Sequence, residues 1–228
     1  MVAAPYPSRP SDKRHKIPVV LLTGFDAFGG DSINPSWLVA QALHRRQIAG
    51  HRVVAAQLPT VFGTAIARLD ALLATHRPVL VICLGLAGGR GALSLERIAI
   101  NVDDARIADN AGAQPIDAPV VPGASAAYFS TLPIKAMQRA MQAAGIPAEV
   151  SQSAGTFVCN HVFYGLMHRL ATAPALQHAR GGFIHVPLLP EQGVPGLPLA
   201  QMVQGLRVGI RVALTTRQDL RVAAGAIH

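Results

Sequence analysis

Hydrophobic and polar positions along this chain follow two periods. Short runs of branched apolar residues, bounded by glycine or proline, predict strands at IPVVLLTG (17–24), HRVVAAQLP (51–59), PVLVICLG (78–85), PAEVSQS (147–153) and GGFIHVPLLP (181–190). Between them, apolar residues at helical spacing predict helices over 34–50, 63–76, 130–145 and 199–214, with a further helix carrying Cys159 directly after the strand at 147–153. The helix at 34–50 has Asn34 as its N-cap, Pro35 at its first position and Gly50 as its stop. The strand at 78–85 is the most hydrophobic and is expected at the centre of the sheet.

Strands that alternate with helices imply right-handed crossovers and a sheet covered on both faces. The expected fold is α/β: a single-domain, three-layer α/β/α sandwich with a mostly parallel, twisted sheet. No internal repeat or dividing linker is visible, so residues 17–228 are expected to form one domain behind a loose, proline-rich tail at 1–16. Only 86–128 breaks the rhythm. It is rich in Gly, Asp and Asn, and long irregular stretches in compact domains tend to be functional.

Composition narrows the function. Half of the 228 residues are hydrophobic and 14% are charged, enough to build a substantial core. No apolar run is long enough to span a bilayer. The run after the polar start meets Asp26 quickly and has no small-residue cleavage site, so no secretion signal is expected. Two cysteines make no disulfide framework and point to a reducing, cytoplasmic setting. The net charge of +8 raises nucleic-acid binding as an alternative, but the basic residues are scattered apart from KRHK at 13–16, and no recognition module is present.

The chemistry concentrates in SAGTFVCNHVFYGLMH (153–168). Cys159 falls near a helix start, where unpaired N–H groups and the macrodipole favour a thiolate. Cys83 lies mid-strand and fits a core residue. The helix turns about 100° per residue, so His161 points roughly 200° away from Cys159, and His168 lies roughly 13 Å along the axis on the far side. Neither can be the base for Cys159. A Cys-x-His metal site fails for the same reason, and no metal or cofactor is expected. The base must come from another element. His185, near the end of a strand, is the candidate, against the plainer possibility of a core histidine.

Two glycine-rich turns miss the nucleotide patterns. TGFDAFGG (23–30) has Gly30 and Asp31 where a phosphate loop needs lysine and a hydroxyl, and GLAGGRGALS (85–94) has Ser94 at the last glycine of the dinucleotide pattern. The first turn instead offers Phe25 and Phe28 at a strand's carboxyl end. They are expected to be exposed there and to shape a small apolar pocket, or else simply to pack beneath the loop.

Five stretches together resemble the pyroglutamyl-peptidase I family, the cysteine peptidases also called pyrrolidone-carboxylate peptidases. They are LLTGFDAFGG with NPSW (21–37), GLAGGR with LERIAINVDDARIADNAG (85–112), AAYFSTLPIKAM (126–137), SAGTFVCNHVFYGLMH (153–168) and GFIHVPLLPEQ (182–192). The resemblance runs in order over about 17 to 214. It implies a catalytic triad of Cys159 as nucleophile, His185 as base and Glu96 as the group that orients the imidazole. Glu96 alone would pass for a solvated charge, and Asp109 is a weaker third-member candidate. The resemblance places Arg106 close to the active site, Phe25, Phe28, Phe157 and Val158 around the pyrrolidone ring, and Asn34 in support. Bacterial relatives usually carry glutamine where this chain has Leu86, so any side-chain hydrogen bond to the lactam at that point is lost. The implied substrates are N-terminally pyroglutamylated peptides, and the implied assembly is a homo-oligomer, tetramer or dimer. A non-catalytic binder of such peptides is the alternative; it would be expected to lack Cys159, His185 or Glu96.

Overall fold

The computed structural model describes residues 17–225. The tail expected at 1–16 therefore lies outside the described residues. In chain order the elements are β1 (Val19–Phe25), α1 (Pro35–Ala42), β2 (Gln47–Ile48), β3 (His51–Leu58), α2 (Thr64–His76), β4 (Leu80–Leu86), β5 (Leu93–Glu96), β6 (Ile98–Ile100), β7 (Ala127–Phe129), α3 (Ile134–Ala143), β8 (Ala148–Ser151), α4 (Val158–Thr172), β9 (Arg180–Val186) and α5 (Leu199–Thr215).

One sheet of seven strands organises them, in the order β2-β3-β1-β4-β9-β5-β8. Strands β3, β1, β4 and β9 run parallel, and β4 is central as its apolar run predicts. β5 runs antiparallel to β9 and parallel to β8, so the sheet is mixed on one side but mostly parallel. Side chains alternate across the pleat and feed two cores. Val20, Leu22, Leu80, Ile82 and Leu84 meet α1, α3 and α5 on one face. Leu21, Phe25, Val81, Cys83 and Phe183 meet α2 and α4 on the other. Each fully buried Val, Leu or Ile contributes about 1.5–3 kcal/mol of transfer energy, which drives this three-layer packing.

Three expectations are corrected. The helix beginning at Pro35 stops at Ala42, not Gly50: Arg45, Ala49 and Gly50 all have positive φ, and the chain turns back as the antiparallel β2–β3 hairpin with Ile48 buried. The helix expected from 130 begins at Ile134, because a residue before proline disfavours helical geometry and Thr131 is bonded to Gly181 instead. The segment 86–128 is not wholly irregular. It holds β5 and β6, and β6 pairs with β7 in a small second sheet.

The chain leaves β1 for β3 on one side and returns to β4 on the other. Strand order therefore reverses between β1 and β4, and a crevice opens beyond their carboxyl ends. No helix among the described residues is long and apolar enough to cross a membrane.

Candidate active site

At that crevice β4 ends in Gly85 and Leu86, and β9 places His185 directly opposite Gly85 in the ladder. Above Gly85 sits Cys159, the second residue of α4: a Cβ built on Gly85 would lie 2.7 Å from its Sγ. The Cys159 sulfur and the His185 imidazole thus share one face, with only a glycine beneath the sulfur. Glu96 closes β5, whose antiparallel course lays it beside the same face of β9. Its Oε1 accepts from His185 Nδ1 at 2.7 Å, and both side chains are buried, 5% and 0% exposed. Glu96 is therefore no solvated charge, as its type alone would suggest.

A carboxylate only accepts, so Nδ1 of His185 donates this bond and Nε2 is the ring nitrogen left outside it. Phe183 packs against the ring at 4.9 Å between centroids and limits its rotation.

Cys159 is half-buried. Desolvation first, then the negative charge of Glu96, push its thiol up to about 12, against an opposing pull from Arg90. The helix-start position is as expected, but burial and the nearby Glu96 charge act against the thiolate there. Cys83 is fully buried in β4, where desolvation raises it to about 12 as well.

The start of α4 offers a further feature. Its N-cap is Phe157, which supplies no side-chain cap, and the first intrahelical acceptance there is His161 N–H to Phe157 O at 3.1 Å. The N–H groups of Val158, Cys159 and Asn160 precede that bond and point out of the helix end beside the sulfur.

A small pocket adjoins Cys159, walled by Phe25, Phe28, Asn34, Thr60, Leu86, Phe157 and Val158. Six of these are residues singled out from the sequence; Thr60 is new. Phe25 is not exposed as expected, but 2% accessible, with Phe28 half-buried above it. Asn34 acts through structure: its Oδ1 caps Ser36 N–H at 3.1 Å, while its amide donates to Asp26 O at 2.9 Å. That double bond pins the 26–31 turn to α1. Asp26 in turn accepts from Thr60 N–H at 2.7 Å, tying the opposite wall to the same turn.

Two expectations fail to converge here. Arg106 is exposed and does not line this pocket. Asp109 is buried, but its Oδ2 accepts from Phe62 N–H and its Oδ1 from Ala111 and Ala113 N–H, which makes it a loop anchor. Burial works to raise its pKa, yet these backbone donors outweigh it and hold the carboxyl below its ordinary value.

His161 is equally engaged elsewhere, as its helical angle predicts. Its Nδ1 faces Asp103 Oδ2 at 2.7 Å and its Nε2 accepts from Gly63 N–H at 2.9 Å. His168 Nδ1 meets the Tyr128 hydroxyl at 3.1 Å. Residues that composition did not single out are Arg90, whose Nη1 donates to Glu96 Oε1 at 2.9 Å, and Gly85. A glycine at the end of a central strand, next to a glycine-rich turn with an arginine, was their only signal. Among the described residues no cluster of three His, Cys, Asp or Glu could hold a metal ion.

Comparison with known proteins points to one family. The family model for pyroglutamyl peptidase matches residues 18–216. A pyrrolidone-carboxylate peptidase of Cupriavidus taiwanensis is 59% identical over 217 residues, covering 93% of this chain and all of that protein. Pyrrolidone-carboxylate peptidase 1 of Ralstonia nicotianae is 56% identical, with 93% and 100% covered. Among solved structures, pyroglutamyl peptidase I of Bacillus amyloliquefaciens superposes with a TM-score of 0.88 at 42% identity, covering 91% of this chain and all of that one. The pyrrolidone carboxyl peptidase of Thermococcus litoralis gives 0.86 at 36% identity, covering 90% and 99%.

Proposed function

Since the chain belongs to the pyroglutamyl peptidase family, we propose that it removes N-terminal pyroglutamate from peptides with Cys159, His185 and Glu96 as its catalytic triad. The observation that carries the assignment is the juxtaposition at the end of β4. Cys159 Sγ lies over Gly85, whose ladder partner His185 is held at Nδ1 by buried Glu96.

The steps follow from that geometry. His185 Nε2 takes the Cys159 proton as the sulfur attacks the pyroglutamyl carbonyl. Glu96 stabilises the imidazolium that forms. The N–H groups at the start of α4, which no side chain caps, stabilise the carbonyl oxygen as it gains negative charge. His185 then protonates the leaving amine, and the C–N bond breaks to leave a thioester. Water, deprotonated by the same nitrogen, releases 5-oxoproline and restores the thiol. The lactam is small, neutral and half apolar, and it suits a pocket walled by Phe25, Phe28, Phe157, Val158 and Leu86.

Residues 17–228 serve in this reading as one catalytic unit. Free thiols favour a reducing cytoplasm, and exposed Ile107, Ile116, Phe129 and Val194 favour assembly into a homo-oligomer, dimer or tetramer. Light scattering of the purified chain checks the assembly.

The test of the chemistry is fluorophore release from a pyroglutamyl amide. Cys159→Ser and Cys159→Ala should abolish turnover, whereas Cys83→Ser should keep it and lower stability. Alkylation mapped to Cys83 alone, with turnover lost and fold intact, would overturn the nucleophile assignment.

A further inference from the structure

Glu96 has an unequal pair of oxygens. Oε1 carries both of its contacts, His185 Nδ1 at 2.7 Å and Arg90 Nη1 at 2.9 Å. Oε2 is buried with no partner among the described residues. A fully buried carboxylate is costly to keep unless its charge is balanced. In the mechanism proposed above His185 accepts a proton at Nε2, so it does not supply that balance before the sulfur attacks. Arg90 is the one cation that salt-bridges Glu96 among the described residues, and it is a permanent one.

The placement of Arg90 is as specific as its bond. It rises from the turn after β4, where Gly89 has φ +84 and a Cβ on Gly91 would come within 3.2 Å of Pro195. The same turn begins with Leu86, a wall of the pocket. One short segment therefore presents a pocket wall at one end and the countercharge of the dyad at the other. Its side chain is partly open to solvent, 34% exposed, while that of Glu96 is sealed.

We propose that Arg90 is a positioning residue of the reaction: through Glu96 Oε1 it fixes the carboxylate that orients His185, and it keeps the Cys159–His185–Glu96 assembly electrically neutral. With Arg90, resting thiol, neutral imidazole, carboxylate and guanidinium sum to zero. After the proton moves from sulfur to imidazole they still sum to zero. Without Arg90 both states carry a net negative charge, and the thiolate must form against an unbalanced Glu96. The direction of Arg90's pull on the Cys159 thiol, downward, agrees with this. The inference rests on the triad assigned above but concerns a residue outside it.

The test uses Arg90→Met, Arg90→Gln and Arg90→Lys. The rate of iodoacetamide alkylation, mapped to Cys159, is followed against pH beside steady-state kinetics. In Arg90→Met the alkylation midpoint should rise by about one pH unit, which is about tenfold slower modification near neutral pH. The kcat should fall with it, and KM should stay within about threefold. Arg90→Gln keeps a donor but no charge, so it should show the same midpoint shift, and it serves if the Met variant does not fold. Arg90→Lys should restore most of the wild-type profile, because only one guanidinium nitrogen is used. A neutral variant that folds with an unchanged Cys159 profile, or a folded lysine variant that behaves like methionine, overturns the proposal. Failure of the triad itself would look different: Cys159→Ser would retain turnover whatever stands at 90.

Discussion

Gly85 and Cys159 are matched across the site: the strand end beneath the sulfur has no side chain, and a Cβ there would lie 2.7 Å from Sγ and 2.8 Å from Phe183 Cζ. Both clashing atoms belong to the face of the candidate site, one being the proposed nucleophile and the other part of the ring that packs on His185. Gly85→Ala should therefore move Cys159 away from His185 with little change elsewhere. Misplacement by about 1 Å can lower activity by about a hundredfold. Overpacking should also destabilise the fold by about 1–3 kcal/mol. Kinetics on a pyroglutamyl amide, beside thermal unfolding, check both. An alanine variant with wild-type kcat/KM would mean that the sulfur has room to spare.

The two buried histidine–carboxylate pairs should respond in opposite ways to truncation. His185 has Nε2 free, so His185→Ala should lower kcat by a factor on the order of thousands while folding normally. His161 has both nitrogens engaged, by Asp103 and by Gly63 N–H. His161→Ala leaves the Asp103 carboxylate buried and unpaired, which should cost about 3–5 kcal/mol of stability. Its kcat should stay within about tenfold in the folded fraction. KM should rise, because Phe62, next to Gly63, packs on Phe157 of the pocket wall. Thermal melts and Michaelis–Menten curves separate the two. A stable His161→Ala enzyme as inactive as Cys159→Ala, beside an active His185→Ala, would reverse the roles.

Much of the site was legible before the fold was known, because helical geometry is rigid. Once Cys159 lies in a helix, the angle to His161 and the distance to His168 follow, and both histidines prove to be engaged elsewhere. β1, β3, β4, β9, α2 and α5 were equally clear, since their apolar runs are long and clean. The illegible part was β5. Its four residues, LSLE, sit between a glycine turn and a polar stretch, too short for alternation to register. What buries Glu96 is a long-range pairing with β9, and no local pattern encodes it. For the same reason Arg90 read as a turn residue, and Asp109 and Arg106 as site residues. Asp109 finds one donor, Phe62 N–H, 47 residues away in sequence and two more in its own loop, and Arg106 is exposed.

Asp109 gives a pH prediction. Its folded pKa is depressed, so its contribution to stability is fully present above the unfolded value of about 4 and is lost as pH falls through the lower, folded value. Asp109→Asn keeps one acceptor and loses the charge. It should be less stable than the parent by roughly 1–3 kcal/mol near neutral pH. That gap should close as pH drops below about 4. Denaturant unfolding at a series of pH values measures it. A gap that stays constant into acid would show that the carboxylate charge contributes nothing there.

Selectivity tests the pocket itself. Phe25, Phe28, Phe157, Val158 and Leu86 present apolar surface, and Asn34 already has its oxygen on Ser36 and its amide on Asp26. Among the described residues no carboxylate lines this pocket to receive an ammonium. A glutaminyl or glutamyl residue would bring a charged α-amino group where the lactam brings a neutral ring N–H. Desolvating that charge should cost several kcal/mol, hence a preference of hundreds-fold or more for the pyroglutamyl amide. Leu86 refines the test. It ends β4, so its backbone stays fixed by the ladder to Val186 whatever its side chain. If the lactam is held by backbone groups, Leu86→Gln should change KM by no more than about threefold. If a side-chain amide contributes, the same variant should bind the lactam about tenfold more tightly, the worth of one neutral hydrogen bond. Steady-state kinetics on the three amides, for parent and variant, distinguish these cases. Comparable kcat/KM for pyroglutamyl and glutaminyl amides in the parent would sink the apolar pocket and leave a thiol aminopeptidase of broad specificity.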